Sequence, residues 1–162
     1  MKMKISRIFL VLSTFALIAL TVVFSIKGNG KSEKPKYMLV IHGGAGFVPE
    51  DIPVELRNKY MAGLEKALET GEKILKAGGK SLDAVEAVVK VLEDDSLFNA
   101  GKGAVLNSDG IAQLDAAIMD GKTMMAGAVA AVEHIKNPIT AARIVMEKTG
   151  HVMMTGVGAE KI

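Results

Sequence analysis

Cysteine is absent from the 162 residues, and so is tryptophan; aromatic side chains make up 4% of the chain. Without cysteine there are no disulfides, thiolate metal sites, cysteine nucleophile or lipoprotein anchor. The scarcity of large rings means that a core, if one forms, is built from Ala, Val, Leu and Met. Net charge is also small: 20 Lys and Arg against 18 Asp and Glu give +2. That is too near neutral for a nucleic-acid partner, and much of the surplus lies in Lys2, Lys4, Arg7, Lys27, Lys31, Lys34 and Lys36. What is present in quantity is apolar sequence, 49% of the chain, enough to bury a core in one domain.

The N-terminus divides from the rest by composition. Met1 to Arg7 is basic, and Ile8 to Ile26 is apolar apart from Ser13, Thr14, Thr21 and Ser25. Residues 1–26 therefore read as a secretory signal peptide or an N-terminal membrane anchor, with 8–26 close to the roughly 20 residues that span a bilayer. Either implies export, to a periplasmic or extracellular location. Residues 27–36 form a polar Gly/Pro/Lys linker, and the domain proper starts at Tyr37.

From there the pattern alternates between extended and helical. Tyr37 to Ile41 is a continuous apolar run entering His42-Gly43-Gly44-Ala45-Gly46, as a buried strand would whose end approaches a backbone or ligand. Between Pro49 and Gly78, Leu56, Tyr60, Leu64, Ala67, Leu68, Ile74 and Leu75 recur at helical spacing, and Gly78-Gly79 supplies a C-cap. Ser81 is the expected cap of a second helix, with Leu82, Val85, Val88, Val89 and Leu92 inward.

The stretch Leu97 to Gly121 has almost no helical period. Asp109-Gly110 and Asp120-Gly121 punctuate apolar runs, so both read as turns between adjacent antiparallel strands. Asp115 lies inside the strand pattern, where a carboxylate needs a partner. Lys122 to Val132 reads as a further buried strand, with Gly127 allowing close approach. Asn137-Pro138 opens a helix over 139–149 that buries Ala142, Ile144 or Val145, and Met146. His151 to Thr155 is another strand, and the sequence stops at a strand-to-helix junction, which reads as a cut.

Several familiar chemistries fail on inspection. Gly156-x-Gly158 lacks the third glycine of a dinucleotide loop, where Lys161 stands, and Gly101-Lys102-Gly103 lacks the rest of a phosphate-binding loop. His42-Gly43-Gly44 is similar to an oxyanion loop, but no serine has the Gly-x-Ser-x-Gly context. His42, His134 and His151 have no metal-ligand spacing. No nucleophile, base and orienting group can be assembled from the residues present.

Taken together, IHGGAG at 41–46, LFNAGKGAVLNSDG at 97–110, LDAAIMDG at 114–121, AGAVAAVEHIKNPITAARIVME at 126–147 and HVMMTGVGAE at 151–160 resemble one family. It is the isoaspartyl peptidase/L-asparaginase family of plant-type asparaginases, and the resemblance runs from Tyr37 to Ile162 in one register. The resemblance implies an α+β fold, the four-layer αββα sandwich of N-terminal nucleophile hydrolases, here incomplete. It implies a precursor that cuts itself into α and β subunits, the freed N-terminal Thr of the β subunit being the nucleophile. That Thr lies beyond Ile162, so 37–162 corresponds to part of the α subunit, its partner β subunit is missing, and no catalytic residue is assigned here.

Carried over residue by residue, Gly43, Gly44 and Gly46 match the glycine-rich strand end close to the self-cleavage site, and Asn99 matches an asparagine near the active site. The loop 92–102 matches the family's sodium loop, whose backbone carbonyls would be those of Leu92, Glu93, Asp95, Phe98, Ala100 and Lys102. Asp94, Asp95 and Lys102 depart from related loops by placing charge there. The implied activity is hydrolysis of β-aspartyl dipeptides and asparagine, with no organic cofactor and a structural sodium ion, in a dimer of αβ units. Glycosylasparaginase within the same family, and a non-catalytic remnant or membrane-surface binding module outside it, are the competing readings.

Overall fold

The computed structural model describes residues 36–44 and 52–162. Residues 1–26, most of the linker, and Gly46 lie outside the described residues. Tyr37–Ile162 forms one compact unit. Among the described residues no helix is long and apolar enough to cross a membrane.

Two helices come first. Helix α1 spans Val54–Lys76 and α2 spans Ser81–Glu93. The α1 stripe that is fully buried is Gly63, Ala67 and Gly71, four residues apart. Larger apolar side chains flank it, and Leu68 is exposed. Small residues leave a groove, and neighbouring side chains fill it: Phe98 lies over Gly63, and Val88 and Leu39 lie over Gly71. At the end of α1 the Gly79 N–H donates to the Ile74 carbonyl (2.9 Å) and the Gly78 N–H to that of Leu75 (3.0 Å). This is the paired-bond helix stop that needs φ > 0, and Gly78 supplies +80°. Ser81 is not the cap of α2: the helix already includes it, and Lys80 holds the cap position without a side-chain bond. On α2 Ala84 and Val88 are buried, whereas Val85 is exposed.

A short 3₁₀ turn follows at Gly101–Gly103, then strands β1 (Leu114–Met119) and β2 (Ala126–Val132). They pair antiparallel across the Asp120-Gly121 turn, as the sequence predicts. Asp120 fixes that turn, its Oδ1 accepting from the Lys122 N–H and its Oδ2 from the Thr123 hydroxyl. The other turn, at Asn107 to Gly110, forms too: the Asn107 Oδ1 accepts from the N–H groups of Asp109 and Ile111. No strand precedes it, however, since residues 104–106 are irregular, and β1 begins only after residues 111–113; the strand expected over Lys122 to Val132 likewise starts only at Ala126.

Helix α3 (Pro138–Lys148) then crosses back to β3 (Met153–Thr155), which pairs parallel to β2, and a last turn of helix α4 occupies Gly156–Ala159. Parallel neighbours need such a crossover. The result is a mixed α+β unit with a three-stranded sheet in the order β1-β2-β3. Its core joins Leu114, Ile118, Val129 and Val132 of the sheet to Ile139, Ala142, Val145 and Met146 of α3. Gly127 is the point of closest approach: a Cβ there would meet the Ala142 carbonyl and the Met146 backbone.

Two further expectations are corrected. Tyr37–Ile41 is not a strand. It alternates half-buried Tyr37, Leu39 and Ile41 with exposed Met38 (79%) and Val40 (80%), and no described residue supplies the ladder partner that defines a strand. Asn137 precedes α3, but its side chain does not cap the helix. Its amide donates instead to Asp94 (3.1 Å).

Candidate functional site

Two of the stretches singled out in the sequence meet at Phe98. Its ring is 4% exposed and meets Tyr60 edge-on, with centroids 5.8 Å apart. A Cβ on Gly43 would lie 3.3 Å from Leu64 and 3.6 Å from Phe98. The glycine-rich segment and the loop 92–102, distant in sequence, therefore share one apolar anchor. Gly44, next in line, has φ +115° and open space at its missing Cβ, and its N–H donates to the His42 ring (3.1 Å). Asn99 is exposed at the crest of the loop and accepts the Val105 N–H through Oδ1 (3.0 Å), which fixes the direction of its side chain.

The loop is wound from successive tight turns. The Leu92 carbonyl accepts from Asp95 N–H (3.2 Å), Asp95 from Phe98 (3.3 Å), Phe98 from Ala100 (2.8 Å) and Ala100 from Gly103 (3.0 Å). Each of these four carbonyls keeps a second lone pair. Two glycines make the winding feasible. A Cβ on Gly101 (φ +48°) would meet the Glu93 carbonyl and Cβ, and one on Gly103 would meet the carbonyls of Phe98 and Ser96. Lys102 stands exposed between them. Among the described residues no three His, Asp or Glu side chains group as metal ligands.

The acids beside the loop look misplaced in the sequence, because a helix C-terminus disfavours negative charge. The structure gives the reason. The end of α2 abuts the start of α3, and Glu93 and Asp94 serve that second helix. Glu93 is 2% exposed, and its Oε1 accepts the Ile139 N–H at 3.0 Å, capping α3 from a different helix. Its Oε2 is buried and has no partner. Burial pushes the Glu93 carboxyl above the usual range, outweighing the Ile139 bond and the nearby Asn137 amide. Asp94 is exposed and shifts the other way, held below its usual range by Lys136 (3.0 Å) and Asn137.

Further along the same helix pair, Arg143 of α3 is clamped by Asp83 (2.7 Å), Glu86 (2.8 Å) and Glu147 (2.9 Å). Burial alone would raise the Glu86 carboxyl, but the Thr140 hydroxyl and Arg143 together hold it below its usual value. Asp115 finds its partner in the Ala131 N–H (2.8 Å), at a bulge where the β1–β2 register slips and Ala131 takes φ +52°. Glu160 accepts from the N–H groups of Glu133 and His134 and from the His134 ring. His134 is thus tied to a carboxylate rather than to a ligand site. Apart from that of Glu147, these carboxylate roles were missed in the sequence because their donors lie 16 to 60 residues away.

A mixed sheet with one helical cover, and a glycine-shaped carbonyl loop anchored beside a glycine-rich segment, is consistent with part of an N-terminal nucleophile hydrolase. The comparisons make this specific. The family described as Asparaginase matches residues 35–162. The chain is 48% identical over 126 residues to an isoaspartyl peptidase of Escherichia coli (strain K12), covering 77% of this chain and 39% of that relative. It is 51% identical over 124 residues to an isoaspartyl peptidase/L-asparaginase of Mus musculus, covering 76% and 37%. A plant-type L-asparaginase of Pyrococcus furiosus is 53% identical over 123 residues, with 76% and 39% covered. The chain belongs to the asparaginase family. It spans about two fifths of the length of the curated relatives it matches.

Proposed function

We propose that residues 37–162 are the N-terminal portion of an exported isoaspartyl peptidase/L-asparaginase that hydrolyses β-aspartyl peptides and the side-chain amide of asparagine. The observation that carries this reading is identity near one half, over 123 to 126 residues, to proteins so named. In the proposed reaction an N-terminal Thr, from sequence following Ile162, attacks the side-chain carbonyl of the substrate, with its own α-amine as base. An α-amine with pKa near 8 is suited to that task. The amine product leaves as the acyl bond forms, and water then releases aspartate. The complete protein is a four-layer αββα sandwich, assembled as a dimer of αβ units, and residues 1–26 direct its export.

On this reading Gly43 and Gly44 keep side-chain bulk away from the place where the chain is cut. Asn99, its direction set by Val105, stands at the edge of the substrate site. The carbonyls of Leu92, Glu93, Asp95, Phe98, Ala100 and Lys102 would hold a sodium ion. The donor set fits: neutral oxygens suit a hard cation, and an unpartnered buried carboxylate oxygen beside them calls for positive charge. The ion would supply local charge balance and hold the loop.

The test starts with the coding DNA beyond codon 162. An in-frame continuation to a Gly-Thr junction is expected, and mass spectrometry of the product should give two polypeptides, the second beginning with Thr. A continuation without such a Thr, or a product that stays in one piece, contradicts the proposal.

A further inference from the structure

We infer that the side chain of Glu93 is the counter-charge of the cation loop and the link through which the loop and helix α3 order each other. The inference rests on the cation reading above and goes beyond it, because that reading assigns Glu93 only a backbone carbonyl.

Three acids stand together at this helix end, and they are not equivalent. Asp94 is neutralised by Lys136. Asp95 turns its Oδ1 to the Leu97 N–H (3.0 Å). Glu93 is buried, pairs with no Lys or Arg among the described residues, and spends one oxygen on Ile139 while the other has no partner. A buried carboxylate without a counter-ion is costly unless something nearby is positive. The N-terminus of α3 supplies part of that through its dipole. The Asn137 amide and Lys90 add to it without offsetting the burial, and the cation loop is a further source. A Cβ on Gly101 would meet the Glu93 carbonyl and Cβ, so a cation held by that carbonyl lies within one side chain's reach of the carboxylate. The same residue thus has its carbonyl in the loop and its carboxylate on α3, and ordering one end restrains the other.

Glu93→Gln separates charge from shape, since Gln keeps an oxygen for the Ile139 N–H, whereas Glu93→Ala removes both. In the full-length protein, sodium chloride is titrated against choline chloride at constant ionic strength. Melting temperature is followed, together with hydrogen exchange by mass spectrometry of peptides covering 92–105 and 136–142. For the unaltered protein, sodium should raise the melting temperature and slow exchange in both peptides. In Glu93→Gln the half-maximal sodium concentration should rise roughly tenfold, the effect of removing one nearby unit charge, while 136–142 stays protected. In Glu93→Ala that peptide should exchange fast even at saturating sodium. An unchanged sodium requirement in Glu93→Gln, or protection of 136–142 in Glu93→Ala, overturns the inference and leaves the cation reading standing. An unaltered protein indifferent to sodium overturns both.

Discussion

The two faces of the three-stranded sheet are unlike. On the face toward α3, the row Ala116, Val129 and Met154 lies in register, with Val129 1% exposed and the helix packed against it. On the opposite face the row Ala117, Ala128 and Met153 lies equally in register, yet Met153 is 55% exposed and Met119 53%. Both rows are apolar. Strand alternation normally sets apolar against polar when one face meets water. Apolar rows on both faces suit a sheet covered on both, and among the described residues α3 covers one. The contrast accords with a chain spanning part of its relatives' length and with the sandwich proposed for the complete protein.

The largest expected effect is at the covered face. Gly127→Ala drives a Cβ into the Ala142 carbonyl and the Met146 backbone, neither of which is a flexible tip. It should destabilise by about 3 kcal/mol, since overpacking against backbone leaves no rotamer escape. Urea denaturation followed by circular dichroism measures this, and a loss below 1 kcal/mol, at the foot of that range, would mean that α3 sits farther from the sheet than described.

A matched pair of methionines comes next. Met146→Ala on the covered side should cost about 2–4 kcal/mol through transfer and cavity terms. Met153→Ala on the open side should stay within about 0.5 kcal/mol in the 162-residue chain, as for other exposed positions. In the complete protein the Met153 cost should rise toward the Met146 value. Equal costs in both settings would break the comparison between faces.

The smallest effect is electrostatic. The Glu133 and His134 N–H groups hold the Glu160 carboxyl below its ordinary value. A depressed carboxylate stabilises the fold fully above its unfolded pKa, and that contribution is lost as pH falls through the folded pKa. The clip should therefore be intact at neutral pH and fail below the ordinary carboxylate range, with Glu160→Gln flattening that part of the acid denaturation curve. A variant whose acid limb superimposes on the unaltered one would show that the contact contributes nothing.

How much of this was legible in the sequence follows from the range of the interactions. Local signals carried well: the Gly78-Gly79 helix stop, the Asp120-Gly121 turn, Pro138 at the start of α3 and the tight approach at Gly127 are each written within a few residues. The expected strand at Tyr37–Ile41 failed because an apolar run specifies extended backbone but not a neighbour. Ser81 and Asn137 failed as caps because capping preference competes with partners from elsewhere, and Asp94 won Asn137. At the candidate site, Gly43, Asn99 and Phe98 stand in long sequence motifs, whereas nothing comparable marks the carboxylate of Glu93. Its partner Ile139 is 46 residues away, and the only trace in the sequence is an acid at a helix end that disfavours it.

The central claim is that this chain is one part of a hydrolase whose nucleophile lies elsewhere, and it has a direct test. The 162-residue chain, and the same chain expressed with the coding sequence that follows codon 162, are each purified and supplied with asparagine and a β-aspartyl dipeptide while aspartate release is followed. The account predicts release by the extended protein and none by the 162-residue chain, since the proposed nucleophile is a Thr that follows Ile162. Turnover by the 162-residue chain that persists after host enzymes are removed, or an extended protein that cleaves neither substrate, would contradict it.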